Sequence, residues 1–477
     1  MARKIAVIGS GPSAWAAFKS LESLHGNCCE IFVLDAGLRE SKSSQTPTMA
    51  GKTKFGSSHM YAGTFSNIRF LAASNFSLAN GGLSTVWGAG IRLWDKELLL
   101  NYCDTDKIYR SAQQLLEEIQ YSGTAESLNF PEGFKIKNKA SPPNATDFNS
   151  LLGYETSDVC SFETALAVDV STSSRCVGCG KCLTGCPYGS IFDSGTAFDR
   201  AVARRKTMRR EVFVERITPT EIGIEICGSA INETKFVETF DEIHLSAGAV
   251  GTPTLLLNSN LLNKTDLTIL DSQVFYFLGF RVFKKSDVPS FALSQVTLSS
   301  NDSKRFNFKA SLYKSNEEIR SRIKDILKSK LFFSLPIPPL LDRFLFLGIG
   351  FLDSENSGSI KLSKVGDEVL VSPIISGSRQ IGSALKRIRK YLSPKGFYIV
   401  PGIYIKPLPG LGFHSGGGLP IGSDYVDEFG RLRSDPRIRI SDVSILKSIP
   451  AGAHTFTSMA IVSSIIKGEY ENSNHGT

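Results

Sequence analysis

Lys4-Ile5-Ala6-Val7-Ile8-Gly9-Ser10-Gly11-Pro12-Ser13-Ala14 runs from an unbroken apolar stretch into a glycine turn and then into helix-forming sequence that continues to about Leu24. The apolar run ending at glycine predicts a buried strand, and the order strand, glycine turn, helix is that of a Rossmann-type unit. Gly9 permits the tight turn, Gly11 lets the backbone approach a pyrophosphate, and Ala14 is small enough for close helix–strand packing. Free N–H groups at the helix start, around Pro12 and Ser13, attract the anion. A second strand, Glu30 to Leu34, ends in Asp35, at the separation where a carboxylate accepts from ribose hydroxyls. A G-x-G-x-x-A match alone could be an ordinary helix-capping turn; the strand before it and the acid after it point to dinucleotide binding.

The chain has 477 residues, of which 42% are hydrophobic, enough for two lobes sharing an interface. Its formal charge of +8 comes from Lys and Arg spread along the whole length, whereas nucleic-acid binders gather theirs into a stripe or tail; no nucleic-acid partner is expected. No apolar run approaches the roughly 18 residues of a membrane span, and the first apolar segment already belongs to the strand at Ile5. Four of the nine cysteines crowd into one window, which favours a metal centre in a reducing, cytoplasmic compartment over disulfides.

Three further segments carry a resemblance. Asn80-Gly81-Gly82-Leu83-Ser84-Thr85-Val86-Trp87-Gly88, Leu245-Ser246-Ala247-Gly248-Ala249-Val250-Gly251-Thr252-Pro253 and the stretch from Gly412 to Ile466 resemble, in that order, segments of the glucose-methanol-choline (GMC) oxidoreductases. The resemblance implies an α/β fold, α+β overall: a Rossmann-type FAD-binding domain with an antiparallel-sheet substrate domain. It implies FAD as cofactor, with Asn80, Gly81, Gly82, Ser84, Val86, Trp87 and Gly88 in a flavin-contacting loop. Val214, Ala247 and Gly248 would belong to the cofactor site, Asp442 would contact the ribityl or pyrophosphate portion, and Ala453, His454 and Thr455 would contact the flavin. Residues 1–100, 195–260 and 405–477 are expected to build the FAD domain, 155–194 a cysteine-rich loop, and 101–154 with 261–404 the substrate domain.

His414-Ser415-Gly416-Gly417-Gly418-Leu419-Pro420-Ile421-Gly422 resembles the family's catalytic histidine stretch. Oxidising an alcohol requires a base for the hydroxyl proton as hydride leaves carbon, and imidazole suits that task, so His414 is the candidate base. The alternative is a polar residue that only holds the glycine loop. At the family's second catalytic position a gapless alignment sets Ala453, with His454 one residue later. His454 either takes the second role or caps the helix that follows.

Arg175-Cys176-Val177-Gly178-Cys179-Gly180-Lys181-Cys182-Leu183-Thr184-Gly185-Cys186-Pro187 is C-x2-C-x2-C-x3-C-P, the spacing of ferredoxin cluster loops. Cys176, Cys179, Cys182 and Cys186 are the candidate ligands of an iron–sulfur cluster, [4Fe-4S] or [3Fe-4S]. In two-cluster ferredoxins the fourth cysteine of such a run serves the other cluster, so Cys186, a remote Cys160, or no fourth ligand all remain open. Zinc and metal-free thiols are the other readings. A cluster would pass electrons singly to or from a partner, a ferredoxin, a cytochrome or a quinone-linked acceptor, which implies a dehydrogenase. The leading expectation is oxidation of a small-molecule alcohol or carbohydrate; a ferredoxin-driven reductase or isomerase and a non-catalytic electron carrier are the alternatives.

From Phe275 to Ile405 the pattern changes to alternating strands, Phe275–Phe283, Phe306–Tyr313, Phe344–Leu352 and Ser359–Leu362, expected to form an antiparallel roof over the flavin. A basic helix, Glu317–Leu331, and a proline-broken apolar stretch, Phe332–Leu341, lie among them. The apolar stretch reads as a buried lid or as a patch for peripheral membrane contact.

Overall fold

The computed structural model describes residues 2–26, 28–37, 60–143, 148–182, 186–204, 208–230, 234–281, 292–294, 296–300, 307–314, 319, 344–376 and 378–474. The opening sequence forms a strand, Arg3–Ile8, a helix, Pro12–His25, and a parallel strand, Cys29–Asp35. Pro12 occupies the first helical turn, where its missing N–H leaves no bond unmade and its fixed φ suits the helix. Gly26 ends the helix at φ 54°, its N–H donating to the Glu22 carbonyl. Ala14, Ala16, Ala17, Phe18 and Leu21 are fully buried, and the helix packs on the long C-terminal helix Thr455–Asn474, where Ser20 Oγ donates to Ser463 Oγ over 2.8 Å.

Eight strands make the nucleotide sheet, in the order Arg431–Leu432, Asp435–Ile440, Glu242–Leu245, Arg3–Ile8, Cys29–Asp35, Met208–Thr220, Gly223–Ala230, Lys235–Phe240. Its five central strands are parallel, and the runs Ile5–Ile8 and Ile31–Leu34 at its centre are continuous, apolar and buried, as a sheet covered on both faces requires. The first residues, the middle of the chain and residues 435–440 thus lie side by side.

A second sheet roofs the space beyond: Phe397–Ile405, Val274–Arg281, Leu345–Leu352, Phe308–Lys314, Val296–Ser300, Val159–Glu163, all antiparallel. Its core face is built by rings lying over glycines. Phe275 pairs with Gly350 and Phe277 with Gly348, and a Cβ at either glycine would stand within 2.1 Å of the opposing Cζ. Only glycine leaves room for the ring there.

The strand expected at Ser359–Leu362 forms, as Ser359–Val365, but in a third sheet, between Asp266–Asp271 and Glu368–Ile374. Leu345–Leu352 already has roof strands on both sides, and a tight turn begun by Asp353, whose side chain accepts from Asn356 N, turns the chain out of the roof. The Glu317–Leu331 helix, apart from Ile319, and the Phe332–Leu341 stretch lie outside the described residues. Among the described residues no helix is long and apolar enough to cross a membrane.

Candidate active site

A cavity of about 2780 Å³, counted to its open mouth, extends from the Gly9–Ser13 turn to the imidazoles of His414 and His454. Its enclosed part is about 400 Å³, within the roughly 300–1,000 Å³ of small-ligand pockets, and it runs from a glycine turn to two imidazoles, as an elongated ligand requires.

At the nucleotide end the fit to a bound pyrophosphate is backbone-made. Gly9, at φ 113°, packs so tightly that a Cβ would lie 2.2 Å from the Ser246 carbonyl oxygen. Gly11 has nothing within 4 Å of its missing Cβ on the cavity side, and a Cβ on Gly82 would come 3.3 Å from Gly11 Cα, so the two glycine loops face each other. Ser10 Oγ donates to Asp35 and accepts from Gly81 N, while Arg209 donates to the other Asp35 oxygen at 3.0 Å and to Asp199 at 2.6 Å. Burial pushes the Asp35 carboxyl above its ordinary range, against the pull of Ser10 and Arg209. The carboxylate expected at the ribose is therefore already gripped from two sides, with lone pairs left for one further donor.

Most of the residues singled out in the sequence line this cavity: Pro12, Ser13, Ser84, Val86, Trp87, Gly88, Val214, Ala247, Gly248, Ala453 and Thr455 with those above. Ala14, Asn80 and Gly81 do not. Ala14 is sealed in the helix–sheet packing; Asn80 reaches back to Asp199, and a Cβ at Gly81 would strike Asp193 Oδ1, so these two shape the turn from behind. Asp442 lines the cavity, but its oxygens accept from Thr252 Oγ1 (2.6 Å), Gly248 N (2.8 Å) and Ser444 N (2.8 Å), which ties its own turn to the start of the Gly248–Asn258 helix. The Thr455–Asn474 helix begins at the wall, with Thr455, its first residue, lining the cavity.

The two histidines come together. Their rings stand 5.0 Å apart at 85°, and Phe351 from the roof lies 4.2 Å from the His414 ring. Each Nδ1 is buried without a partner among the described residues, an orphaned polar atom that a ligand can satisfy. Burial, and then the field of His454, pulls the His414 pKa well below its ordinary value; burial alone pulls His454 to about 4. Both rings are accordingly neutral near pH 7 and able to accept a proton. His414 is held from behind: its carbonyl accepts from Ser272 N at 2.9 Å, and Ser415 Oγ donates to Asp271 at 2.7 Å. Phe413 carries φ 60°, a left-handed backbone that a bulky side chain resists, directly before the imidazole. His454 accepts Ser458 N on its carbonyl and stands just ahead of the helix, so it joins the pair and starts the helix at once.

The cysteine window surrounds a separate small pocket of about 10 Å³, lined by Cys176, Cys179, Cys182 and Cys186. Gly178 N and Ser190 N point at the sulfurs of Cys176 and Cys186 (3.4 and 3.3 Å), as backbone donors do around cluster sulfurs. Burial raises the Cys182 thiol to about 12 and raises Cys176 as well. Among the described residues no three His, Cys, Asp or Glu side chains stand in an arrangement that would hold a metal ion. Cys160 does not line it: it lies on the roof strand Val159–Glu163, its Sγ 3.7 Å from the Ser299 carbonyl. Ile191 lines the cysteine cavity, and its neighbour Phe192 packs on Trp87, ring centroids 6.3 Å apart, whose Nε1 donates to the Phe192 carbonyl.

Sequence reasoning missed Arg92, which follows the Asn80–Gly88 loop, and the roof side chains that reach the cavity: Tyr276, Thr297, Lys309, Ser311, Tyr313 and Phe351. Lys309, Ser311 and Tyr313 alternate with buried Phe308, Ala310 and Leu312, a period-two signal that marks a half-polar strand without saying what its polar face meets.

No family profile and no curated protein sequence matches the chain. Among solved structures it is similar to pyridoxine 4-oxidase from Mesorbium loti, with a TM-score of 0.62 and 14% identity, over 98% of this chain and 99% of the other. At that identity the likeness is one of fold, and it spans both the nucleotide sheet and the roof.

Proposed function

We propose that this chain is an FAD-dependent oxidoreductase that oxidises a CH–OH group of a small molecule. The observation that carries the reading is the pair of neutral, unpartnered imidazoles at the end of a cavity whose other end is a glycine-rich dinucleotide turn. Bound flavin supplies a two-electron acceptor for hydride. The chain's residues do the rest. His414 or His454 takes the hydroxyl proton on an open ring nitrogen, and the second imidazole orients the hydroxyl. Phe351 fixes the His414 ring plane, Asp271 and Ser415 fix its backbone, and the roof keeps water from the reacting carbon. The fold shared with pyridoxine 4-oxidase, itself named for oxidising an alcohol, agrees with this class of reaction.

The four cysteines suit an iron–sulfur cluster, which would supply one-electron exchange with an external protein or quinone-linked acceptor. The C-x2-C-x2-C-x3-C-P spacing, with all four cysteines lining one pocket one residue away from the Phe192–Trp87 contact, supports this. Flavin, iron and labile-sulfide analysis of anaerobically purified protein tests both parts. One FAD with three or four irons per chain is expected; a colourless protein that takes up no flavin overturns the first, and flavin without iron overturns the second.

A further inference from the structure

Lys309 is placed where the proposed reaction has no use for it. It stands opposite Phe351 in the antiparallel register, and antiparallel partners carry their Cβ atoms about 5 Å apart, so its stem leaves the sheet beside the ring that packs on His414. The other flank is Gly452, two residues before His454: a Cβ there would lie 2.9 Å from Lys309 Cδ. The side chain thus threads between the segments that carry the two imidazoles and lines the same cavity.

Among the described residues its ammonium has no hydrogen-bond acceptor and no ion-pair partner. It sits 6.0 Å from the Phe162 ring, on which the Arg92 guanidinium also rests at 4.3 Å. Arg92 spends its terminal nitrogens on the carbonyls of Glu126 and Ser127 and on Asn129 Oδ1, so it acts as a fixed charge, while Lys309 keeps three free donors. Asp95, the carboxylate whose field reaches both, is exposed. The carboxylates lining the cavity are engaged elsewhere: Asp35 with Ser10 and Arg209, Glu215 with Ser229, Asp442 with Thr252. Burial pulls the Lys309 pKa down, the mark of a charge that lacks compensation. An unpaired buried ammonium is costly and is tolerated where a ligand brings the opposite charge. Beside it the roof offers hydroxyls, Thr164 to Thr297 at 2.8 Å and Thr297 to Ser311 at 3.3 Å.

We infer that Lys309, backed by Arg92, is a subsite for an oxyanion carried by the substrate, a carboxylate or a phosphate a few bonds from the carbinol carbon. The alcohol oxidised is then a hydroxylated acid or phosphate ester and not a neutral sugar. The inference deepens the proposed oxidation and rests on it for the word substrate; the anion subsite itself is tested apart from turnover.

Equilibrium dialysis of purified protein against radiolabelled inorganic phosphate and against acetate, for wild type, Lys309→Met and Lys309→Arg, reads the subsite without any reaction. Lys309→Met should weaken one of the two anions by about tenfold or more, the loss of a charge-assisted contact, and Lys309→Arg should restore much of it. Which anion responds separates phosphate from carboxylate. Equal binding of both anions by wild type and Lys309→Met overturns the inference. Anaerobic flavin bleaching by glycerol, glycerate and glycerol 3-phosphate then compares substrates: the methionine variant should raise KM for an anionic member and leave glycerol within about twofold. Equal loss for all three puts the charge to work on the flavin and also overturns it. Lysine-dependent anion binding with no bleaching by any alcohol leaves the subsite standing and sinks the oxidation.

Discussion

The neutrality of His454 sets a measurable dependence of stability on pH. The ring is 3% exposed and its Nδ1 has no partner among the described residues. Protonating it in the folded protein places an unsolvated charge beside a second imidazole, so its pKa falls from 6.5 to about 4. The unfolded chain binds this proton at the ordinary value; between the two values unfolding takes up a proton, and stability falls as pH falls. The full contribution is present above about pH 6.5. For a 2.5-unit separation the linkage relation gives a loss of about 2 kcal/mol on going from pH 8 to pH 5, and about 3 kcal/mol by pH 4. Urea unfolding of wild type and His454→Gln at pH 8 and pH 5 isolates this term, because every other titrating group is shared. The variant should lose about 2 kcal/mol less than wild type over that interval. Equal losses would mean that His454 is solvated or paired in the folded state, and its assignment as a neutral proton acceptor would fall with it.

Replacing His414 by Ala should leave flavin bound and slow flavin bleaching by substrate by roughly 10²–10⁴, the usual worth of a positioned base; stopped-flow reduction at unchanged flavin content checks it. Gly9→Ala should abolish flavin retention, because its Cβ would lie 2.2 Å from the Ser246 carbonyl at a φ of 113° that a side chain resists; a normal visible spectrum would contradict the packing. In the roof, Gly350→Ala places a methyl 2.1 Å from Phe275 Cζ and should cost about 1–3 kcal/mol by denaturant unfolding, with the glycine turn at the far end of the cavity untouched. Cys182→Ser should remove iron and labile sulfide and spare flavin, read by metal analysis and absorbance.

Much about this molecule was decided within short stretches of sequence. The Lys4–Ala14 run specified strand, turn and helix, because a buried apolar run, glycines at the turn and a helix-compatible proline are local requirements met by adjacent residues. The same holds for the window from Cys176 to Cys186, whose spacing alone brings four sulfurs to one cavity. What lay beyond the sequence was every relation between distant segments. Nothing near Asp35 announces that Ser10 and Arg209 hold it, and Ser359–Val365 reads as one more roof strand until the occupied edges of Leu345–Leu352 exclude it. That His454 stands 5.0 Å from His414 as well as at the head of its helix is a relation no local pattern gives, and Lys309 became visible beside the cavity only when a roof strand was folded over Gly452. Local pattern fixes which face of a strand is polar; which cavity that face meets depends on sheet pairing between residues far apart in the chain, and that pairing exists only in the folded whole.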